Sequence, residues 1–210
     1  MRIAIIGAGN FGSALARRSV QARHAVSLSD SPAGSERLRA AVVETGASAT
    51  PTAEAVAAAE LIVLAVPFSA IDDVLTAGVI AAATGKTVVD VTNPLAPDRM
   101  SLTLGCTTSG GEHIAAKLPR SHVVKAFNTL LAANLAAPTL GGTKLLVPVA
   151  GNDDASKRTV LDLAAQLGFD AVDAGPLTNA RYLEPAIVLL LQLAYGMHMG
   201  TGIGLALARG

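Results

Sequence analysis

The chain has 210 residues, 51% hydrophobic and 15% charged, which excludes disorder and leaves room for one large α/β domain with a small appendage. Sixteen Lys and Arg balance sixteen Asp and Glu, so no bulk charge draws in nucleic acid or an acidic membrane, and any phosphate must be held by local geometry. A single cysteine, Cys106, excludes an intrachain disulfide; it reads as a partly buried thiol in a reducing compartment.

The N-terminus enters a strand at once, Arg2 to Ile6, with no basic-then-apolar leader. A helix is expected over Gly12 to Arg23, a second strand over Ala25 to Ser29, and helices over Ser35 to Glu44 and Ala53 to Ala59. Leu61 to Val66 is a strand closed by Pro67, and Thr87 to Val91 another, closed by Asn93-Pro94. Strands follow at His122 to Ala126, Lys144 to Ala150 and Phe169 to Asp173, with a helix from Asp154 to Gly168. A long apolar helix runs from about Asn179 to Tyr195; its most apolar stretch is too short for a bilayer, which takes about 20 residues. The alternation predicts an α/β fold: a doubly wound, mainly parallel Rossmann sheet extended by a small C-terminal α/β segment. A composition change at Leu140-Gly141-Gly142 sets the expected division: residues 1–143 bind a dinucleotide, and 144–210 form a segment on the acceptor side. The tail Gly200 to Gly210 reads as a frayed end or as an interface strip for a homodimer. A cytoplasmic protein without nucleic-acid or membrane partners is expected.

Gly7-Ala8-Gly9-Asn10-Phe11-Gly12 is a GxGxxG placed between a strand and a helix, and Asp30 ends the next strand 18 positions beyond Gly12. Gly7 permits the turn, Gly9 lets backbone approach a pyrophosphate, and Gly12 lets the helix pack on the strand. The N–H groups and dipole of the helix then hold the phosphates. Asp30, with Ser31 after it, can accept from the adenosine ribose and would repel the 2′-phosphate of NADP; taken alone it favours NAD. Arg37 and Arg39 lie on the following helix, near enough to matter.

Further along, Asn128 follows an apolar strand at its carboxyl end, where an amide can orient a carboxamide or ring carbonyl. It is the one residue given a positioning role in catalysis. Lys125 contacts an acceptor anion or snorkels at the sheet end. His113 and His122 are candidate proton donors or plain surface histidines. Arg181 and Glu184, three apart, suggest an intrahelical ion pair, with orientation of a second cofactor as the other reading. No histidine spacing or acidic cluster suggests a metal site. Absence of GxSxG and of GxxxxGK[ST] argues against a hydrolase and a nucleotide triphosphatase.

Several segments, in order, resemble the NADP oxidoreductase family that works with the deazaflavin coenzyme F-420, itself related to the reductase domains of six-transmembrane metalloreductases. Besides the glycine turn they are Leu64-Ala65-Val66-Pro67-Phe68, Asp90-Val91-Thr92-Asn93-Pro94-Leu95 and Val123-Val124-Lys125-Ala126-Phe127-Asn128-Thr129, then Ala150-Gly151-Asn152-Asp153-Asp154 and Asp173-Ala174-Gly175-Pro176-Leu177. The resemblance implies hydride transfer between NADP and a deazaflavin or flavin-like acceptor, in a site built by Val66, Pro67, Phe68, Asn93, Pro94, Asn128 and Thr129. Such relatives carry Ser-Arg or Asn-Ser-Arg where this chain has Ser29-Asp30-Ser31-Pro32, so family and residue point to different coenzymes; the direct electrostatic penalty of Asp30 argues for NAD. Two rival functions are reduction of a small carbonyl or imine substrate, for which the usual large helical domain is lacking after residue 180, and a non-catalytic dinucleotide sensor.

Overall fold

The computed structural model describes residues 1–210, the side chain of Ala33 excepted. Uncharged runs of Ile, Val and Leu pair into strands whose two faces are both covered. Ile3 and Ile5 of the first strand, β1 (Arg2–Ile6), enter one core while Ala4 and Ile6 enter the other. After β1 come α1 (Asn10–Gln21), β2 (Ala25–Ser29), α2 (Ser35–Thr45), β3 (Ser48–Ala49), α3 (Thr52–Ala58) and β4 (Leu61–Leu64). The chain continues through α4 (Ile71–Val74), α5 (Ala77–Ala82), β5 (Thr87–Asp90), α6 (Gly110–Lys117) and β6 (His122–Lys125). These strands lie in the order β6-β5-β4-β1-β2-β3, all parallel. The order reverses direction between β1 and β4, and ligands of open α/β sheets bind outside the carboxyl ends at such a point.

A hairpin, β7 (Thr139–Leu140) and β8 (Thr143–Lys144), turns through Gly141 and Gly142 at φ of 55° and 82°, the left-handed geometry that glycine favours. The glycines at the expected boundary thus make this turn. β9 (Leu146–Gly151) joins β6 antiparallel, then α7 (Asp154–Gln166) returns to β10 (Asp170–Asp173), parallel to β9. The sheet is therefore continuous, with eight strands and one antiparallel pairing.

α8 (Ala180–Leu191) is shorter than expected, because the turn from Gln192 to Gly196 widens into a π-helix. Several other elements end one or two residues inside the sequence-based spans, the outer residues passing into loops. The tail is not frayed. Asn134 donates to the Ile203 carbonyl at 2.7 Å, Leu146 N–H to the Leu205 carbonyl at 2.8 Å, and Arg209 pairs with Asp170 at 2.8 Å. Ile203 and Leu205 pack with Leu131, Ile187 and Leu190.

Candidate functional site

The glycines of the first turn divide their work. Gly7 has φ of 113°, and a Cβ there would strike the Ala65 carbonyl; a Cβ on Gly12 would strike the Gly7 carbonyl. Both therefore serve close packing. A Cβ on Gly9 would meet nothing within 4 Å, so this backbone faces open space. The first bond within α1 runs from Ser13 N–H to the Gly9 carbonyl, leaving the N–H groups of Asn10, Phe11 and Gly12. No side chain caps them and the first turn holds no acid, as in α5 and α8, whereas α2, α3, α4, α6 and α7 each carry at least one there. A helix start of this kind can receive an anion.

A cavity of about 600 Å³ lies beside that turn, between the ends of β2 and β4, with Asp30, Ser31, Arg37, Val66 and Pro67 in its wall. Its size and mainly apolar lining suit a nucleoside. Asp30 is not a bare carboxylate. Its Oδ2 accepts from Arg37 Nε at 2.9 Å and Nη2 at 2.7 Å and from Ala8 N–H at 3.3 Å, while Oδ1 accepts from Ser31 N–H at 2.8 Å. The Asp30 side chain is 6% exposed and that of Arg37 56%. Sequence reasoning noted Arg37 without placing it in the site; its place seven residues after Asp30, in the first turn of α2, was the available signal.

Beyond the other side of the crossover, the ends of β5 and β6 bring Asn93 and Asn128 together. Asn128 Nδ2 donates to Asn93 Oδ1 at 3.0 Å and to the Leu183 carbonyl at 3.0 Å, and Asn93 Nδ2 donates to the Asn128 carbonyl at 3.1 Å. Phe127, at φ of 60°, makes the turn that sends Asn128 back over the sheet end, a conformation that costs a non-glycine residue about 1–3 kcal/mol. Asn128 is buried and Asn93 half-buried, so Asn93 is the more accessible amide of the pair. Asn128 Oδ1 and the hydroxyls of Thr92 and Thr129 are buried without a partner among the described residues. Pro94 is buried as well.

Phe68 goes elsewhere: it meets the His113 ring edge-on at 5.4 Å and leaves the cavity to Val66 and Pro67. His113 is half-exposed, 3.9 Å from Asp72, and His122 lies 3.7 Å from Asp153. The expected pair of Arg181 with Glu184 does not form. Arg181 instead binds Glu112 on α6 through two bonds of 2.8 and 2.6 Å, holding the Glu112 carboxyl below the usual glutamate range. Glu184 turns inward to Lys125 at 2.8 Å. Lys125 neither reaches an acceptor nor snorkels; it is fully buried, 2.8 Å from Asp90. Both corrections have one cause: the partners come from other elements, which helical spacing does not reveal. Ser109 caps α6, its Oγ accepting from Glu112 N–H at 3.2 Å and donating to Glu112 Oε2 at 2.8 Å; the S-x-x-E spacing is readable in the sequence. Cys106 is exposed, in a loop residue at φ of 60°. Among the described residues no three His, Cys, Asp or Glu side chains gather as metal ligands, and no helix is long and apolar enough to cross a membrane.

A family model described as NADP oxidoreductase coenzyme F420-dependent matches residues 2–94. A candidate F420-dependent NADP reductase from Arthrobacter sp. FB24 has a similar structure, with a TM-score of 0.91 and 30% identity over the whole of both chains. Rat metalloreductase STEAP3 is 30% identical over 196 residues, which are 90% of this chain and 37% of that protein; the chain thus spans little more than a third of this curated relative. An imine reductase from Pseudomonas sp. shares the fold at 23% identity and a TM-score of 0.67, with 93% of this chain covering 62% of that one. The open glycine turn, the nucleoside-sized cavity and an end-to-end relative agree: the chain belongs to the coenzyme F420-dependent NADP oxidoreductase family and is an NAD(P)-dependent oxidoreductase.

Proposed function

We propose that the chain moves a hydride between NADPH and a deazaflavin or flavin-like acceptor. The observation that carries the acceptor is the likeness to the Arthrobacter protein, which runs the full length of both chains, whereas this chain covers only 62% of the imine reductase. The nicotinamide supplies or takes the hydride, and the protein has to hold two rings together in a dry crevice. In this reading the N–H groups of Asn10, Phe11 and Gly12 bind the pyrophosphate beside Gly9. Val66 and Pro67 wall the adenosine. Asn93, backed by Asn128, orients the carboxamide, with Thr129 and Pro94 closing the floor. Residues 1–143 carry the dinucleotide and 144–210 bring α8 over the acceptor side.

NADPH is chosen over NADH because the charge of Asp30 is answered by Arg37, whose guanidinium remains half-exposed at the cavity wall. Arg37→Ala should lower the ratio of NADPH to NADH affinity about tenfold, equivalent to about 1.4 kcal/mol, and Asp30→Ala should raise it.

The deciding experiment follows loss of nicotinamide absorbance, with NADPH and NADH in parallel, against the deazaflavin coenzyme, FMN and FAD. Rapid oxidation by a deazaflavin or flavin is expected. No turnover with any of the three, despite tight dinucleotide binding, would overturn the reading in favour of a small imine or carbonyl substrate.

A further inference from the structure

Three ionisable side chains at the carboxyl ends of the strands are sealed from solvent: Lys125 and Asp90 at 0% and Glu184 at 1% exposure. The dinucleotide reading makes no use of them. Lys125 Nζ lies 2.8 Å from both Asp90 Oδ2 and Glu184 Oε1, and donates to the Thr92 carbonyl at 2.6 Å. Asp90 Oδ1 accepts from Thr92 N–H at 2.8 Å. Glu184 also accepts from the first two N–H groups of α6, Gly110 at 2.9 Å and Gly111 at 3.1 Å. Burial of three such groups contributes little net stability, since desolvation offsets attraction; what the cluster does fix is geometry.

The geometry it fixes adjoins Asn128. Leu183, the residue before Glu184, offers the carbonyl that Asn128 Nδ2 binds, and Lys125 and Asn128 leave the same strand end on either side of Phe127. Glu184 is thereby tied through α8 to the amide pair at the ring end of the cleft. We propose that Glu184, anchored by Lys125, is a positioning residue for hydride transfer: it sets the depth of α8, and so the orientation of Asn128 and of Asn93 bonded to it. The proposal rests on the reading of Asn93 as the carboxamide contact. It also predicts why Arg181 should not substitute for Glu184 as the anchor, since the Arg181–Glu112 contact joins α8 to α6 but reaches neither sheet nor Asn128.

The test compares the wild-type protein with Glu184→Gln, Asn128→Ala and their combination. The side-chain amide protons of Asn128 are followed by hydrogen exchange in NMR, NADPH affinity by nicotinamide fluorescence, and kcat and KM with the acceptor that turns over. In Glu184→Gln, exchange at the Asn128 amide should quicken at least tenfold and kcat should fall at least tenfold. NADPH affinity should stay within threefold, because the turn around Gly9 is untouched. The kcat loss of the double variant should match that of Asn128→Ala alone rather than the product of the two. Where Glu184→Gln fails to fold, Glu184→Asp, which keeps a carboxylate beside Lys125 but shortens its reach, takes its place. Unchanged Asn128 exchange in a folded variant, or multiplicative kcat losses, would leave the cluster a structural staple and overturn the proposal. Failure of the wild type to bind NADPH or NADH would instead sink the dinucleotide reading, while amide exchange would still decide whether Glu184 holds Asn128.

Discussion

At the start of α6 the N–H groups of Gly110 and Gly111 receive the Glu184 carboxylate, and Ser109 Oγ accepts from Glu112 N–H. At the start of α1 the corresponding groups of Asn10, Phe11 and Gly12 receive nothing from the chain. Both helices begin in a glycine-containing turn, and both present the same positive pole. The difference lies in who supplies the anion. In α6 it is a residue from α8, and the junction becomes a seal; at α1, in the function proposed above, it is the pyrophosphate of the dinucleotide. A glycine-rich helix start is therefore not a ligand site until the protein's own carboxylates have been accounted for.

The sharpest way to break the sealed junction is to unbalance it. Lys125→Met leaves two buried carboxylates without their cation and should cost about 3–5 kcal/mol in a denaturant titration. A loss below 1 kcal/mol would mean the cluster is wetter than its exposure indicates. At the open junction, Gly12→Ala forces a methyl group into the Gly7 carbonyl and should cost about 1–3 kcal/mol along with dinucleotide binding. Gly9→Ala separates the two effects. Gly9 has φ of −71° with space around it, so stability should change by no more than about 0.5 kcal/mol. Pyrophosphate affinity, read by NADPH titration, should nonetheless fall about tenfold, or about 1.4 kcal/mol.

A smaller effect comes from making α1 resemble α6. Asn10→Asp places a carboxylate on the bare first turn, which should raise the stability of the ligand-free protein by about 0.3–1 kcal/mol while weakening dinucleotide binding. Smallest is the pH dependence of the α6–α8 contact. The bond from Arg181 holds the Glu112 carboxyl below its unfolded value, so the contribution is complete above the ordinary glutamate range and is lost as pH falls through the lower, folded value. Thermal melts in mild acid should show a shallower fall for Glu112→Gln than for the wild type; parallel curves would refute the assignment.

What the sequence made legible was local. The glycine turn was readable because all its parts lie within six residues, and the strand centres because β-branched runs face two cores. The cap that Ser109 gives α6 was equally local but went unread, though Ser109 and Glu112 have the S-x-x-E spacing. The seal on α6 was not readable, since Glu184 lies more than 70 residues from the amides it binds, and its spacing from Arg181 suggested a nearer partner. Asp30 was found but its ion pair was not, because pairing with Arg37 depends on where α2 starts. The strap from Gly200 to Gly210 was invisible for the same reason: Asn134 and Leu146 meet it across a long gap in sequence.

The antiparallel junction between β6 and β9 has a consequence for synthesis. The parallel strands β1 to β6 leave the ribosome first, and β6 stays an open edge until residues 146–151 emerge, at about 5–20 residues per second. A bare edge strand invites pairing with another chain, and a lysine is among the groups that discourage it. During that interval Lys125 has Asp90 but not yet Glu184, which is made 59 residues later. The side chain that ends as the most deeply buried cation of the finished protein is, for that interval, a charge at the end of its edge strand.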